Sequence, residues 1–215
     1  MKNKKYELVE DDFILHKGKK LYRIRALKKF ETDRDGAVIK GETGGYIEGY
    51  HNLSQEGKCW IFYDAKVYDN AKIENDATLG GCVEIYGNAV IKDSALVGED
   101  AMVYGNARVK DCALVGDNAK VFGNTRVSNH AYICENASVY GNARIEDEAV
   151  VERYAKVYGN AVISDSALVG EDAMVYDNAV IKGNAEVSGN ARVRGCTTIP
   201  DSKVYGKYCS KKQCI

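Results

Sequence analysis

Apolar side chains recur at an interval of six along the chain from Cys59 to Ile199. Each unit has a small residue, a variable residue, Val or Ile, a second variable residue and then two turn formers. The run Asn106-Ala107-Arg108-Val109-Lys110-Asp111 shows the phase. Between Ala65 and Thr197 the small position occurs 23 times and is Ala in 20, the exceptions being Val83, Thr125 and Thr197. Two places further on, from Ile61 to Ile199, the aliphatic position occurs 24 times and is Val or Ile everywhere except Leu79.

A helix cannot bury such a pattern, because positions i, i+2 and i+6 do not follow 3.6 residues per turn. Very short strands separated by tight corners can, and that is the sequence signature of a solenoid. Alternate side chains of a strand face opposite ways, so the small residue and the aliphatic one two places on share the inner face. Gly, Asn, Asp and Ser at the next two positions tolerate positive φ or bond to their own backbone at a bend. The segment VIKDSALVGEDAMV from Val90 to Val103 returns as VISDSALVGEDAMV from Val162 to Val175, an offset of 72. That offset is four coils of eighteen residues, each with three sides of six, which predicts an all-β solenoid of triangular section.

The repeat resembles the left-handed parallel β-helix of the hexapeptide-repeat proteins, whose pattern sets an aliphatic residue four places before a small one. Val67 to Ala71, Ile73 to Ala77, Val97 to Ala101 and Val139 to Ala143 fit it. The resemblance spans roughly two thirds of the chain and implies a single left-handed β-helix; the left hand comes from the family, since it departs from the usual right-handed crossover.

Outside the repeat, residues 1–44 are expected to form a cap that covers the open solenoid end, with a specific binding or attachment module as the alternative. Leu21 to Leu27 alternates like a half-exposed strand, Lys28 to Gly36 reads as a charged loop, and Gly41, Gly44, Gly45 and Gly49 mark tight bends. Ile47 and Leu53 lie twelve and six residues before Cys59, in phase with the small position, so the expected solenoid covers 45–206 and is regular from 59 to 199. Ile199 and Val204 are only five apart; a one-residue slip turns a strand's apolar set outward, and with Pro200 it predicts a stop. Residues 207–215, with Cys209 and Cys214, then form a polar tail in which no disulfide is expected.

Composition changes this picture little. The 30 Lys and Arg nearly balance 31 Asp and Glu, which points neither to a general nucleic-acid binder nor to an acidic mimic. No apolar run of membrane-spanning length occurs, and Met1 to Asp12 lacks the hydrophobic segment of a signal peptide, so no membrane partner is expected. Seven Cys, odd in number and without metal spacing, favour a reduced cytoplasmic setting and no metal site.

With the interior occupied by Ala, Val and Ile, function has to lie on the outer columns. One column reads Tyr68, Tyr86, Tyr104, Phe122, Tyr140, Tyr158 and Tyr176. Coils stacked about 4.8 Å apart would turn it into an aromatic ladder that either stiffens a flat sheet or offers a binding surface. A second column, Trp60, Thr78, Leu96, Leu114, Tyr132, Val150, Leu168 and Glu186, contains an outward apolar strip flanked by Gly80, Gly98, Gly116 and Gly170. Such a strip predicts a homo-oligomer interface, dimeric or trimeric; a foreign protein partner and cover by the N-terminal region are the alternatives. The third carries Arg108, Arg126 and Arg144, with Lys92 and Lys110 alongside; nearby Glu74, Glu146 and corner Asp residues would relieve it, or an anion such as nucleic acid would.

One corner aligns Ser94, Cys112, His130, Glu148 and Ser166 at intervals of one coil. A nucleophile, base and carboxylate could meet there, although a convex corner gives no cleft to exclude water. Many hexapeptide-repeat proteins are acyltransferases that use acetyl- or succinyl-coenzyme A, with a His from one subunit acting as base in the groove between neighbours. On that resemblance His130 is the candidate base, acyl-coenzyme A the cosubstrate and a hydroxyl or amine the acceptor. No loop interrupts the repeat between Ala65 and Thr197 to close such a site. The leading expectation is therefore a non-catalytic scaffold that needs no cofactor, with acyl transfer second and anion or nucleic-acid binding third.

Overall fold

The computed structural model describes residues 4–33 and 36–206. It is a parallel β-solenoid of eighteen-residue coils without a helix among the described residues. Strands of two or three residues from Lys66–Val67 to Arg192–Val193 build one side, from Lys72–Ile73 to Thr198–Pro200 the second, and from Trp60–Ile61 to Lys203–Tyr205 the third. They are called here the tyrosine, arginine and leucine sides. Each strand pairs in register with the strand one coil away, as in Val90 to Arg108 and Leu96 to Leu114.

The aliphatic column fills the interior, with Val67 through Val193 fully buried and the small column beside it. Buried aliphatic side chains contribute about 1.5–3 kcal/mol each, and β-branching leaves Val and Ile little rotamer freedom to lose.

The corners carry the backbone strain. Asp93, Asp111, Asn129, Asp147 and Asp165 all have φ between 56° and 60°. Asx side chains tolerate that region, and here the carboxylates also bridge coils: Asp165 Oδ2 accepts from Gly183 N at 2.8 Å, and Asp117 Oδ2 from Glu135 N at 2.9 Å. After the tyrosine side the corner is mostly Gly, with Asp69 and Asp177 also at positive φ in the same column. A Cβ built on Gly123 would stand 2.8 Å from the carbonyl oxygen of Gly141.

At the N-terminal end, β1 (Tyr6–His16) and β2 (Lys19–Ala26) form an antiparallel hairpin through Lys17 and Gly18, both at positive φ. The alternation over Leu21–Leu27 thus marks β2, whereas the charged β1 carries no comparable apolar signal. Next come β3 (Phe30–Glu31), inside the Lys28 to Gly36 region read as a charged loop, and β4 (Ala37–Val38), just after it, which pair with each other. The following strand, β5 (Thr43–Ile47), joins antiparallel β2 to the first parallel strand of the tyrosine side.

Two expectations about phase are corrected. Ile47 pairs with Val67 and Leu53 with Ile73, so both occupy the aliphatic position rather than the small one. Both steps are twenty residues long, while Ile61 pairs with Leu79 at the regular eighteen. Two extra residues in the segment between Leu53 and Trp60 account for the difference. At the other end Val204 does not turn outward: it pairs in register with Val187 and packs against the core. The missing residue comes out of the corner at Asp201, where φ is 43°, and not out of the strand. Cys209 and Cys214 lie outside the described residues.

Candidate functional site

The tyrosine column forms a continuous stack. From Tyr68 to Tyr176 successive ring centroids are 4.8 to 5.1 Å apart, with planes within 6° of parallel. The hairpin covers its first member: Tyr68 is buried, Lys17 Nζ donates to its hydroxyl at 3.1 Å, and the His16 ring meets it edge-on. Burial pushes the Tyr68 hydroxyl up to about 12, so it stays protonated and donates to Glu84 Oε2. From Tyr86 onward the rings are half-buried.

On the leucine side, Leu96, Leu114, Tyr132, Val150 and Leu168 pair with one another in consecutive coils. All remain at least partly accessible, Tyr132 at 37%. A Cβ on Gly80 or Gly98 would meet nothing within 4 Å, so the surface beside Leu96 is open, whereas Gly116 and Gly170 are buried and a Cβ on Gly170 would stand 3.2 Å from Glu152 Oε1. Trp60 is the correction: it is fully buried, with Tyr6 and Phe30 edge-on to its ring, so the N-terminal region takes the top of the strip for itself. Thr78 is buried as well, and the exposed strip begins at Leu96. Cys134 lies almost wholly buried beside Tyr132, its thiol pushed up to about 11 by burial.

Arg108, Arg126 and Arg144 are exposed and pair in register on the arginine side. Glu146 holds Arg144 at 2.9 Å, while Asp93 and Asp111 hold Lys92 and Lys110. Among the described residues no carboxylate pairs with Arg108 or Arg126, and Glu74 makes no ion pair.

The mixed corner forms a shallow depression of about 630 Å³ that includes Cys112, His130, Glu148 and Ser166. Ser166 Oγ donates to Glu148 Oε2 at 3.3 Å, and Ser94 Oγ to Asp33 Oδ2 at 2.9 Å. His130 is exposed, and no side-chain hydrogen bond links it to Cys112 or Glu148. The column is thus assembled in space without becoming a nucleophile, base and orienter set.

Two features went unread in the sequence. Asn70, Asn88, Asn106, Asn124, Asn142, Asn160 and Asn178 form an amide ladder, each Nδ2 donating to the next Oδ1 at 2.9 to 3.1 Å. Their eighteen-residue recurrence was the available signal. Lys5, buried against the first coil, carried no signal at all.

A family model described as YdcK Beta solenoid repeat matches residues 155–171, a stretch shorter than one coil. That segment runs from Ala155 on the tyrosine side to the corner at Glu171, so the similarity covers the repeat and none of the N-terminal hairpin. No curated protein matches the chain.

Proposed function

We propose that this chain is a rigid, non-catalytic scaffold that pairs with a second copy of itself through the leucine side. The observation that carries this reading is the strip of Leu96, Leu114, Tyr132, Val150 and Leu168, held in register and left at least partly accessible in five consecutive coils. An exposed apolar strip of this length favours association over solvation. Its symmetry favours a two-fold arrangement: Leu96-Val97-Gly98-Glu99-Asp100 and Leu168-Val169-Gly170-Glu171-Asp172 are identical and lie two coils to either side of Tyr132. With the axis through Tyr132, Leu96 of one copy meets Leu168 of the other, the self-complementary geometry of an isologous dimer. Sedimentation of the chain and of Leu114→Arg tests it: dimer for the first and monomer for the second is expected. A monomeric parent chain, or an unchanged oligomer in Leu114→Arg, overturns the reading.

The unpaired guanidiniums of Arg108 and Arg126 favour a second reading, contact with a polyanion along the arginine side. Binding to an anionic polymer would then weaken with salt and disappear when Arg108, Arg126 and Arg144 are changed to Gln. Acyl transfer draws no comparable support, because His130 stands exposed in a shallow depression with no side-chain hydrogen bond to Glu148 or Cys112.

A further inference from the structure

Cys59 occupies a small position that is Ala in 20 of the 23 copies from Ala65 onward. The thiol appears where Lys5, the one buried lysine among the described residues, reaches the first coil. Lys5 Nζ donates to Cys59 O at 2.8 Å and lies 3.2 Å from Cys59 Sγ, with Lys5 1% and Cys59 0% exposed. The backbone holds this contact from both sides. Lys5 N donates to Gln55 Oε1 at 2.7 Å, Gln55 Nε2 returns a bond to Tyr6 O, and Tyr6 Oη donates to Leu53 O at 2.7 Å. The amine and the thiol therefore need no search to find one another.

We propose that Lys5 and Cys59 form a redox-operated covalent clasp, a sulfenamide between Nζ and Sγ made with hydrogen peroxide, which locks the N-terminal strand onto the first coil. Cys59 sulfur attacks one peroxide oxygen while its proton passes to Lys5 Nζ; the O–O bond breaks, and the departing hydroxide takes that proton back as water. The amine lone pair then attacks the sulfenic sulfur, the N–S bond forms, the S–O bond breaks, and hydroxide leaves with one amine proton as a second water. Sulfenic acids condense with nitrogen in this way. Burial pushes the Lys5 ammonium down, in the direction of the neutral amine that the second step uses. Burial pushes the Cys59 thiol up, against the ammonium contact, so the first step is slow and the amine is waiting when it occurs. Lys5 Nζ also donates to Glu56 O at 3.3 Å and Gly57 O at 3.4 Å, so the exposed loop Glu56–Lys58 closes over the pair and has to open for peroxide to enter. Excess thiol reverses the clasp: one thiol displaces the amine to give a mixed disulfide, and a second frees Cys59.

The test treats the full chain with hydrogen peroxide, digests it and searches for a peptide joining Lys5 to Cys59. A linked peptide about 2 Da lighter than the sum of its parts, lost on adding dithiothreitol, is expected. Cys59→Ala, which restores the repeat's usual residue and should fold, must lack it, as must Lys5→Met. The treated parent chain should also melt several degrees higher than its reduced form, while Cys59→Ala should not respond to peroxide. Cys59 recovered as sulfinic acid with Lys5 unmodified, or as free thiol after exposed Cys82 is fully oxidised, overturns the proposal. None of these outcomes depends on whether the chain dimerises.

Discussion

Asn124 donates from Nδ2 to Oδ1 of Asn142 at 3.0 Å, one link in a chain of amides that runs up the corner from Asn70 to Asn178. Each interior Asn gives one bond and accepts one, so a substitution in the middle breaks two. Asn124→Ala is expected to lower stability by about 1–3 kcal/mol, and Asn124→Asp by at least as much, since the carboxylate keeps the acceptor and loses the donor. Chemical denaturation checks both, with Asn70→Ala, at the end of the ladder, costing less.

The stacked rings make a parallel case. Tyr140 lies 4.9 Å from both Phe122 and Tyr158. Removing it with Tyr140→Ala should cost about 1–3 kcal/mol for two aromatic pairs, while Tyr140→Phe, already the state at Phe122, should leave the melting temperature nearly unchanged.

The hairpin contact should respond to acid. Burial raises Glu84, but its hydrogen bonds from Lys17 and Tyr68 outweigh that, so its carboxyl titrates below the ordinary 4.5. A carboxyl depressed in the folded state stabilises it above the ordinary value and loses that contribution as pH falls through the folded one. As the pH falls below 4.5 and through the depressed folded value, the turn at Lys17 and Gly18 should loosen from Tyr68, seen as faster amide exchange in β1 and β2. His16, at 3.3 Å from the same carboxylate, and the Lys19–Asp69 pair also face this contact. Glu84→Gln should remove most of the acid response of the turn and leave that of the Lys19–Asp69 pair.

Val103 and Val157 point into the solenoid and are fully buried. Changing either to Asp places an unpaired charge where no donor reaches it, a cost of several kcal/mol. Loss of a cooperative thermal transition is expected for both, and unchanged melting would show that these positions are not interior.

The solenoid could be read from the sequence because its information is periodic. Every Ala and Val repeats the same statement about the interior, and the tyrosine, leucine and arginine columns follow once eighteen residues make a coil. What could not be read lies where the period fails. The extra residues before Trp60 move Ile47 and Leu53 from the small to the aliphatic position of the same inner face without altering their spacing from one another. The missing residue before Val204 is absorbed at Asp201, because a corner with φ already positive can shorten while a hydrogen-bonded strand cannot. Trp60 sits in phase with the exposed leucines, and only the return of Tyr6 and Phe30 from outside the repeat covers it. Lys5 is invisible for the same reason, since its partners lie some fifty positions away in the chain.

The uninterrupted inner columns free the outer surface from the fold. Each outward residue has an address, one of three sides and one level, and backbone pairing fixes the interval between levels whatever side chain stands there. Side and level can therefore be rewritten one position at a time, and the molecule amounts to a pegboard on which charges, rings or thiols are set at constant pitch without disturbing the wall that carries them.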